Sequence, residues 1–276
     1  MSISIDTTVA LHGNVGIPLL GFGTFKVKEG QDVEQAVATA LDLGYRHIDT
    51  AMIYRNEEGV GRAVAASGID RSDIFVTTKV WNSDQRYEPT LAGIDASLER
   101  LGMDYVDLYL VHWPKPDHTV ETWRAMEEIQ AIGKARAIGV SNFLTHHLDL
   151  LLENANVVPS INQIQFHPHL QSPDLIEYCD ERGIVIEAWG PLKQGLIMDD
   201  PELSAIAASH GVTVPQVVLR WMLQRDIVAI PKSVTPSRIA ENADLYGFEL
   251  SAGEMDTIND MDRDDRVGPH PDHIDF

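Results

Sequence analysis

The chain alternates short β-rich runs with helix-like runs eight times, and this order limits the fold more than any other feature of the sequence. The first unit is PLLGFGT followed by QDVEQAVATALDLG, and the last is IVAIPKS followed by PSRIAENAD. Two of the strand-like runs, VDLYLVH and IVIEAW, are almost continuously apolar, as strands covered on both faces are. A chain of 276 residues therefore suits one α/β fold, a closed (β/α)8 TIM barrel, which takes roughly 250 residues.

The segment before the first unit predicts a small addition to this barrel. SISIDTTVAL and VGIPLLGFGT flank Gly13 and Asn14, a pair that favours a tight β-turn. We therefore expect a β-hairpin that covers the N-terminal end of the barrel, and a single domain over residues 1–276. The competing architecture is an open doubly wound sheet, but its Gly-x-Gly-x-x-Gly fingerprint does not follow the first strand.

The charge balance excludes several classes of partner. Asp and Glu outnumber Lys and Arg by 42 to 21, which gives a net charge of −21 and argues against nucleic acid or an anionic membrane as a partner. The sequence contains neither a span of ~20 apolar residues nor the apolar run of a secretory signal, so we expect a cytoplasmic protein. The only cysteine, Cys179, lies in an amphipathic run and is predicted to be a structural thiol.

Polar and ionisable side chains gather at the predicted carboxyl ends of the strands. In a barrel of this kind these ends converge on one mouth, where active sites lie. Each of these residues alone is explained equally well as a loop or capping residue, but so many at one end predict a functional site. In chain order they are Asp49, Lys79, His112, Ser141, Asn142, Gln163, Trp189, Lys232 and Ser233, with Tyr54 in the loop after Asp49.

Four of these side chains form a combination suited to proton transfer. An ammonium beside a phenol lowers the pKa of a tyrosine from its reference value of about 10, and a carboxylate keeps that ammonium charged. We therefore expect Lys79, held by Asp49, to lower the pKa of Tyr54 and make it a general acid near neutral pH. His112 adds an imidazole to the same mouth.

The segments that carry these residues resemble, in order, the signature segments of the aldo-keto reductases. They are GYRHIDTAMIYRNEEGVGRA, TTKVWN, LYLVHWP, AIGVSNF, NQIQFHPHL and IPKSVTPSRIAEN, and the closing RVGPHPD is similar to the bacterial branch that includes 2,5-diketo-D-gluconate reductases. The resemblance implies that Asp49, Tyr54, Lys79 and His112 are catalytic, with Tyr54 as the proton donor and a neutral His112 orienting the carbonyl. It implies NADPH-dependent reduction of 2-oxoaldehydes, diketones or keto-sugars to alcohols.

The resemblance also implies where NADPH binds. Ser141, Asn142 and Gln163 match residues that hold the nicotinamide carboxamide, and Trp189 stands where an aromatic ring stacks on the nicotinamide. Lys232, Ser233 and Arg238 match the segment that binds the adenosine 2'-phosphate, so the resemblance favours NADPH over NADH. Independently of the resemblance, two cations and a hydroxyl at a strand end that enters a helix suit an anion. The remaining cofactor residues implied are Gly190, Leu192, Ile230, Val234, Glu241 and Asn242, the last two as adenine contacts.

Aromatic residues near the strand ends predict the substrate pocket. Phe22, Trp81 and Trp113 could form an apolar sleeve around a small carbonyl substrate. The tail after Met261 resembles the substrate-specificity loop of the family. The resemblance also implies a monomer.

Three other functions compete with this interpretation. A metal-dependent hydrolase would use the His-Pro-His at 167–169 and the histidines at 270 and 273, but no carboxylate-rich partner set accompanies them, so we expect no metal. A glycosidase would pair Asp49 with Glu187, on strands that lie far apart around the barrel, and would leave the cationic segment without a role. The remaining alternative is a non-catalytic NADPH-binding regulatory subunit on the same barrel, although all four catalytic residue types are present.

Overall fold

The computed structural model describes residues 3–274 and Phe276, and the described chain contains a hairpin and a barrel. The hairpin consists of β1 (Thr8–Leu11) and β2 (Val15–Pro18). The barrel strands are β3 (Phe22–Gly23), β4 (His47–Asp49), β5 (Phe75–Val80), β6 (Val106–Val111), β7 (Ala135–Ser141), β8 (Ile161–Gln165), β9 (Val185–Trp189) and β10 (Val228–Ala229).

The barrel strands are parallel, and each pairs with its neighbour in the chain from β3 to β10. The sheet closes between its first and last strands, because the amide of Gly21 donates to the carbonyl of Ala229 at 2.8 Å and the amide of Ala229 donates to Leu19 at 2.8 Å. The predicted (β/α)8 barrel is therefore confirmed, and the open doubly wound sheet is excluded. The closing seam is short, since β3 and β10 have two residues each.

Helices connect the strands in the predicted order. One helix went unpredicted, α10, which begins after Ser251 with a capping box to Glu254. The helices are α1 (Gln31–Asp42), α2 (Glu57–Ala66), α3 (Tyr87–Leu101), α4 (Pro116–Ala131), α5 (Thr145–Leu152), α6 (Pro173–Asp180), α7 (Pro201–His210), α8 (Val214–Leu223), α9 (Pro236–Ala243) and α10 (Ala252–Asn259).

The core lies inside the barrel and between the barrel and its helices. Every residue of β5 and β6 is buried, as the continuous apolar runs predict for parallel strands. Helices pack closely on one another outside this layer. At Gly61 of α2, an added Cβ would lie 2.1 Å from the carbonyl oxygen of Leu101 at the end of α3, so only glycine fits there.

The hairpin covers the N-terminal end of the barrel, as predicted. Its turn places both Gly13 and Asn14 in the left-handed region, with φ of 81° and 61°. Its Ile17 is fully buried. His12 lies against Gly183, just before β9, at the end of the barrel opposite the mouth.

Two further expectations from composition can be compared with the structure. Cys179 is a buried free thiol on α6, and burial raises its pKa to about 11, so the thiol stays protonated at neutral pH. Among the described residues, no helix has both the length and the apolar character needed to cross a bilayer.

Candidate active site

Lys79 forms the centre of the site at the barrel mouth. It lies near the end of β5, where residues alternate between the barrel interior and the helices, so that the adjacent Thr78 instead donates to Glu57 of α2. The Lys79 side chain has no exposed surface. Its Nζ donates to both carboxylate oxygens of Asp49 at 2.7 Å and to the carbonyl of Thr50 at 2.9 Å. Burial opposes the charge, but Asp49 raises the pKa of Lys79 above its ordinary value, so the ammonium persists.

Tyr54 lies directly above this ion pair. A single 3-10 turn at Met52–Tyr54, closed by Arg55 in the left-handed region, brings its hydroxyl to 3.4 Å from the Nζ of Lys79. Burial raises the pKa of Tyr54 to about 12, and the nearby ammonium offsets this only in part. The expectation that Lys79 lowers this pKa below 10 is therefore wrong for the protein without cofactor, because burial of the phenol outweighs the attraction of Lys79.

His112 completes the predicted group of four. Its ring centroid lies 5.7 Å from that of Tyr54 and 5.0 Å from that of Trp81. Burial, with the charge of Lys79 adding to it, holds the pKa of His112 well below its ordinary value. Its Nδ1 is buried and makes no hydrogen bond to any described residue. The imidazole is therefore neutral at physiological pH, as expected.

The next strand ends bring three of the predicted nicotinamide residues together. The Nδ2 of Asn142 donates to Ser141 Oγ and to the carbonyl of His112, both at 3.0 Å, and the indole of half-buried Trp189 donates to Asn142 Oδ1 at 2.8 Å. Asn142 adopts a left-handed conformation, with φ of 64°. Hydrogen bonds thus join Asn142, just after β7, to the Trp189 ring at the end of β9, beside His112.

Gln163 points into the barrel rather than only toward the mouth. Its Nε2 donates to Asp49 Oδ2 at 2.9 Å and to Glu187 Oε2 at 2.8 Å, so one amide joins two carboxyl groups. Although β4 and β9 are not neighbours in the sheet, Asp49 and Glu187 therefore face each other across the barrel interior. Because both carboxyl groups are almost completely buried, they are not arranged as the open carboxylate pair that a glycosidase needs.

Positive charge collects after β10, in a chain that is otherwise acidic. Burial and the charge of Lys26 lower the pKa of Lys232, which shows that the two ammonium groups lie near each other. Lys26, Lys232 and Arg238 are exposed. None of the three belongs to an ion pair with any part of the chain that the structure describes. Three uncompensated cations indicate an anion site. Lys26 is a candidate that sequence reasoning missed.

The other predicted cofactor residues lie on the loops that follow β9 and β10. Gly190 adopts φ of 65° directly after Trp189, Leu192 is half-buried, Ile230 is buried and Val234 is exposed. Ser233 is nearly buried, and its Oγ accepts from the amide of Thr235. On α9, Asn242 is buried, while Glu241 accepts from the Thr213 hydroxyl at 2.8 Å.

The aromatic pocket differs from the predicted one at one position. Phe22 is 1% exposed and packs in the core against Tyr45, with ring centroids 6.0 Å apart. Phe25, three residues later, is 52% exposed and lies 5.0 Å from the Tyr54 ring. The prediction of Phe22 as a pocket residue is therefore not supported by its position, and Phe25 occupies that place.

Trp81 and Trp113 do lie together beside His112. Phe276 stacks on Trp81 with ring centroids 5.4 Å apart and meets Trp113 edge-on at 5.6 Å. The tail thus supplies a third ring to this side of the mouth. Earlier in the tail, the amide of Gly268 donates to Gln165 Oε1 at 2.8 Å, and an added Cβ there would lie 2.4 Å from the Trp189 ring.

The described side chains that could hold a metal ion are not the histidines at 167, 169, 270 and 273 that the sequence suggested. Among the described residues, the group whose atoms could hold an ion is His146, His147 and Asp272. His147 Nδ1 accepts from the amide of Leu144 at 3.2 Å, so its proton resides on Nε2, which lies 3.2 Å from Asp272. A metal would need that Nε2 without its proton, which favours a hydrogen-bonded contact that holds the tail on α5.

Comparisons with known proteins agree with the motifs and the fold. The model of the Aldo/keto reductase family matches residues 19–263. Glyoxal reductase of Bacillus subtilis is 51% identical over 276 residues, 100% of both chains, and morphine 6-dehydrogenase of Pseudomonas putida is 45% identical, covering 97% of this chain and 95% of its own.

Solved structures show the same relationship. MGS-M4, an aldo-keto reductase from a deep-sea metagenome library of the Medee basin, superposes with a TM-score of 0.95 at 45% identity, over 98% of this chain and 100% of its own. A variant of Gox0644 in complex with NADPH superposes with a TM-score of 0.93 at 41% identity, over 98% and 99% of the two chains. The chain belongs to the aldo/keto reductase family.

Proposed function

We propose that this protein reduces small 2-oxoaldehydes to hydroxyaldehydes with NADPH, using Tyr54 as the proton donor. Its family makes it an NADP-dependent oxidoreductase that acts on carbonyl compounds. The single observation that carries the role of Tyr54 is the buried Asp49–Lys79 pair, whose ammonium lies 3.4 Å from the phenol oxygen. The substrate class takes its support from the glyoxal reductase relative and from the aromatic rings of Trp81, Trp113 and Phe276 beside His112.

Four side chains prepare the site for a carbonyl oxygen that gains negative charge. NADPH supplies the hydride when it is bound. The Tyr54 hydroxyl and the neutral His112 imidazole offer donors at the mouth, and preplaced donors stabilise developing charge without reorganisation. Lys79 then favours release of the Tyr54 proton to the substrate oxygen, since the ammonium stabilises the phenolate left behind. Asp49 keeps that ammonium charged and fixed.

The residues present fit NADPH at both of its ends. Near the mouth, Ser141, Asn142 and Trp189 form a hydrogen-bonded group beside His112, and the Nε2 of Gln163 is fixed by Asp49 and Glu187. After β10, the uncompensated cations Lys232 and Arg238 suit a 2'-phosphate, which a protein of net charge −21 would otherwise repel. This asymmetry favours NADPH over NADH.

Replacement of Tyr54 by Phe tests the chemistry. We expect Tyr54→Phe to bind NADPH as the unsubstituted protein does, measured by quenching of tryptophan fluorescence, and to lose at least about 100-fold in kcat for methylglyoxal, because the proton donor is missing. Retained turnover would remove Tyr54 from this role. An additional panel of diketones and keto-sugars would rank the substrate classes.

Replacement of Arg238 by Ala tests the cofactor site. We expect the Kd for NADPH to rise at least about tenfold while that for NADH changes little, since only NADPH carries the 2'-phosphate. Equal losses for both cofactors would place that phosphate elsewhere. Arg124→Ala, which removes an exposed cation on α4, serves as the matched control for lost positive charge.

The regulatory-subunit alternative finds no support among the relatives, which carry the names of reductases and dehydrogenases. All four catalytic candidates come from one chain, which supports activity as a monomer. Sedimentation of the active protein tests this. A cytoplasmic location completes the proposal, because NADPH is a reductant of that compartment.

A further inference from the structure

Glu187 is a fully buried carboxyl group that the proposed reaction does not use. It lies on β9, deeper in the barrel than Trp189, and its side chain has no exposed surface. One oxygen, Oε2, accepts from Gln163 Nε2 at 2.8 Å. The other, Oε1, makes no hydrogen bond within the described chain and lies 3.6 Å from His47 Nε2.

The charges around Glu187 do not balance if it is ionised. The titratable groups that face it are His47 and Asp49 from β4 and Lys79 from β5, while β10 presents Val228. Burial and the charge of Lys79 lower the pKa of His47 to about 3, so this imidazole supplies no positive charge. Among the described residues that face Glu187, Lys79 remains as the single cation, and both of its short carboxylate contacts go to Asp49.

An unpaired carboxylate in this volume would be very costly, since burial strips its hydration and no cation replaces it. Burial, with repulsion from Asp49, accordingly raises the pKa of Glu187 well above the usual range of a carboxyl group, to about 8. The hydrogen bonds assign the proton. Because Oε2 accepts from Gln163, the hydrogen resides on Oε1, the oxygen without a donor.

We propose that Glu187 is a positioning residue that remains protonated during turnover at neutral pH, and that its neutral carboxyl group keeps Gln163 and the Asp49–Lys79 pair in their active arrangement. This inference rests on the proposed function. The Gln163 amide has two hydrogens, and each has one acceptor, Asp49 on one side and Glu187 on the other. The side chain that the resemblance assigns to the nicotinamide carboxamide is thus oriented by hydrogen bonds to Asp49 and Glu187.

Ionisation of Glu187 would disturb the proton donor. A second negative charge beside Asp49 raises the pKa of Tyr54 further, because it stabilises the protonated phenol, and it draws Lys79 away from Tyr54. Carbonyl reduction should therefore fall as the pH rises through the pKa of Glu187. Because Glu187→Gln leaves Tyr54 in place, a decline caused by Tyr54 itself would persist in that variant.

The pH profile of Glu187→Gln tests the proposal, because an amide stays neutral at every pH. Between pH 7 and pH 9 we expect kcat for carbonyl reduction to fall about tenfold in the unsubstituted protein and less than about twofold in Glu187→Gln. The matched control is Glu57→Gln, which alters another buried carboxyl group, one that pairs with Arg100 at 2.7 Å outside the barrel. It should retain the alkaline decline, and parallel profiles for all three proteins would overturn the proposal.

Infrared difference spectroscopy supplies a readout that does not depend on turnover or on the folding of a variant. The unsubstituted protein should show the C=O stretch of a protonated carboxyl group at pH 7 and lose it by pH 10, and this band should be absent from Glu187→Gln but present in Glu57→Gln. Absence of the band at pH 7 would refute the proton on Glu187 even if the protein reduced no carbonyl compound. If the band titrates in a protein that has no reductase activity, the protonation of Glu187 stands. The proposed function would then be refuted, and the positioning role with it.

Discussion

Replacement of Lys79 by Met would measure how strongly the fold depends on its buried ion pair. The substitution keeps the apolar stem of the side chain but removes four hydrogen bonds of its ammonium, two to Asp49, one to Thr50 and a longer one to Tyr54. Breaking a buried pair by removal of one partner costs about 3–5 kcal/mol, since the other charge stays buried without compensation. Because Asp49 keeps only its bond from Gln163, we expect a loss of about 4 kcal/mol in the free energy of unfolding at pH 7.

Replacement of Asp49 in the same variant should recover part of the loss. In Lys79→Met the Asp49 carboxylate stays buried without a cation, whereas Asn at this position is neutral and its side-chain oxygen can still accept the hydrogen bond from Gln163. We therefore expect the double variant Lys79→Met, Asp49→Asn to be more stable than Lys79→Met alone.

Urea unfolding at pH 7, followed by tryptophan fluorescence, measures these differences. Lys134→Met is the matched control, because Lys134 pairs with Asp95 on the surface, where both side chains are partly exposed, and its loss should cost less than about 1 kcal/mol. A penalty for Lys79→Met as small as that of the control would refute the reasoning. So would a double variant whose loss equals the sum of the two single losses.

Two pairs of substitutions test other contacts. Phe22→Ala should cost about 3–5 kcal/mol of stability because it empties a core position. Phe25→Ala should change stability by less than about 1 kcal/mol and raise KM for the carbonyl substrate. The reverse pattern in unfolding and steady-state assays would contradict the placement of the two rings. Gly61→Ala should lower stability by about 3 kcal/mol because the added Cβ clashes with Leu101. Gly253→Ala, in open space on α10, should raise stability by about 0.5–1 kcal/mol. Equal shifts in Tm for the two variants would refute the role of the Leu101 clash.

The sequence predicts the barrel and much of the site for a physical reason. Parallel strands covered on both faces are continuously apolar, so they stand out between amphipathic helices, and their carboxyl ends must meet at one mouth. That rule brings Asp49, Lys79 and His112 to one mouth, with Tyr54 in the loop after Asp49, and the family resemblance selects these four as catalytic. The missed helix α10 also carried a readable signal, the serine and glutamate of its capping box at positions 251 and 254.

Other features depend on distances and burial that a sequence does not contain. Phe22 and Phe25 stand three residues apart, and only the register and end of the two-residue strand β3 decide which one reaches the mouth. The sequence shows that Tyr54 has a cationic neighbour, but the opposing effect of burial on its pKa requires coordinates. Strand order around the circumference likewise conceals that Asp49 and Glu187 meet across the interior.

The short seam between β3 and β10 has a consequence for how the protein responds to its ligand. With two residues in each strand, few backbone bonds close the barrel there, so this is where local opening should need the least free energy. The cationic loop that begins at Lys232 follows β10 directly, and Lys26 lies in the loop after β3. An anion bound by both loops would stabilise the closed form of the barrel at this seam. Slower backbone hydrogen exchange at Gly21, Gly23 and Ala229 would then indicate that the cofactor is bound.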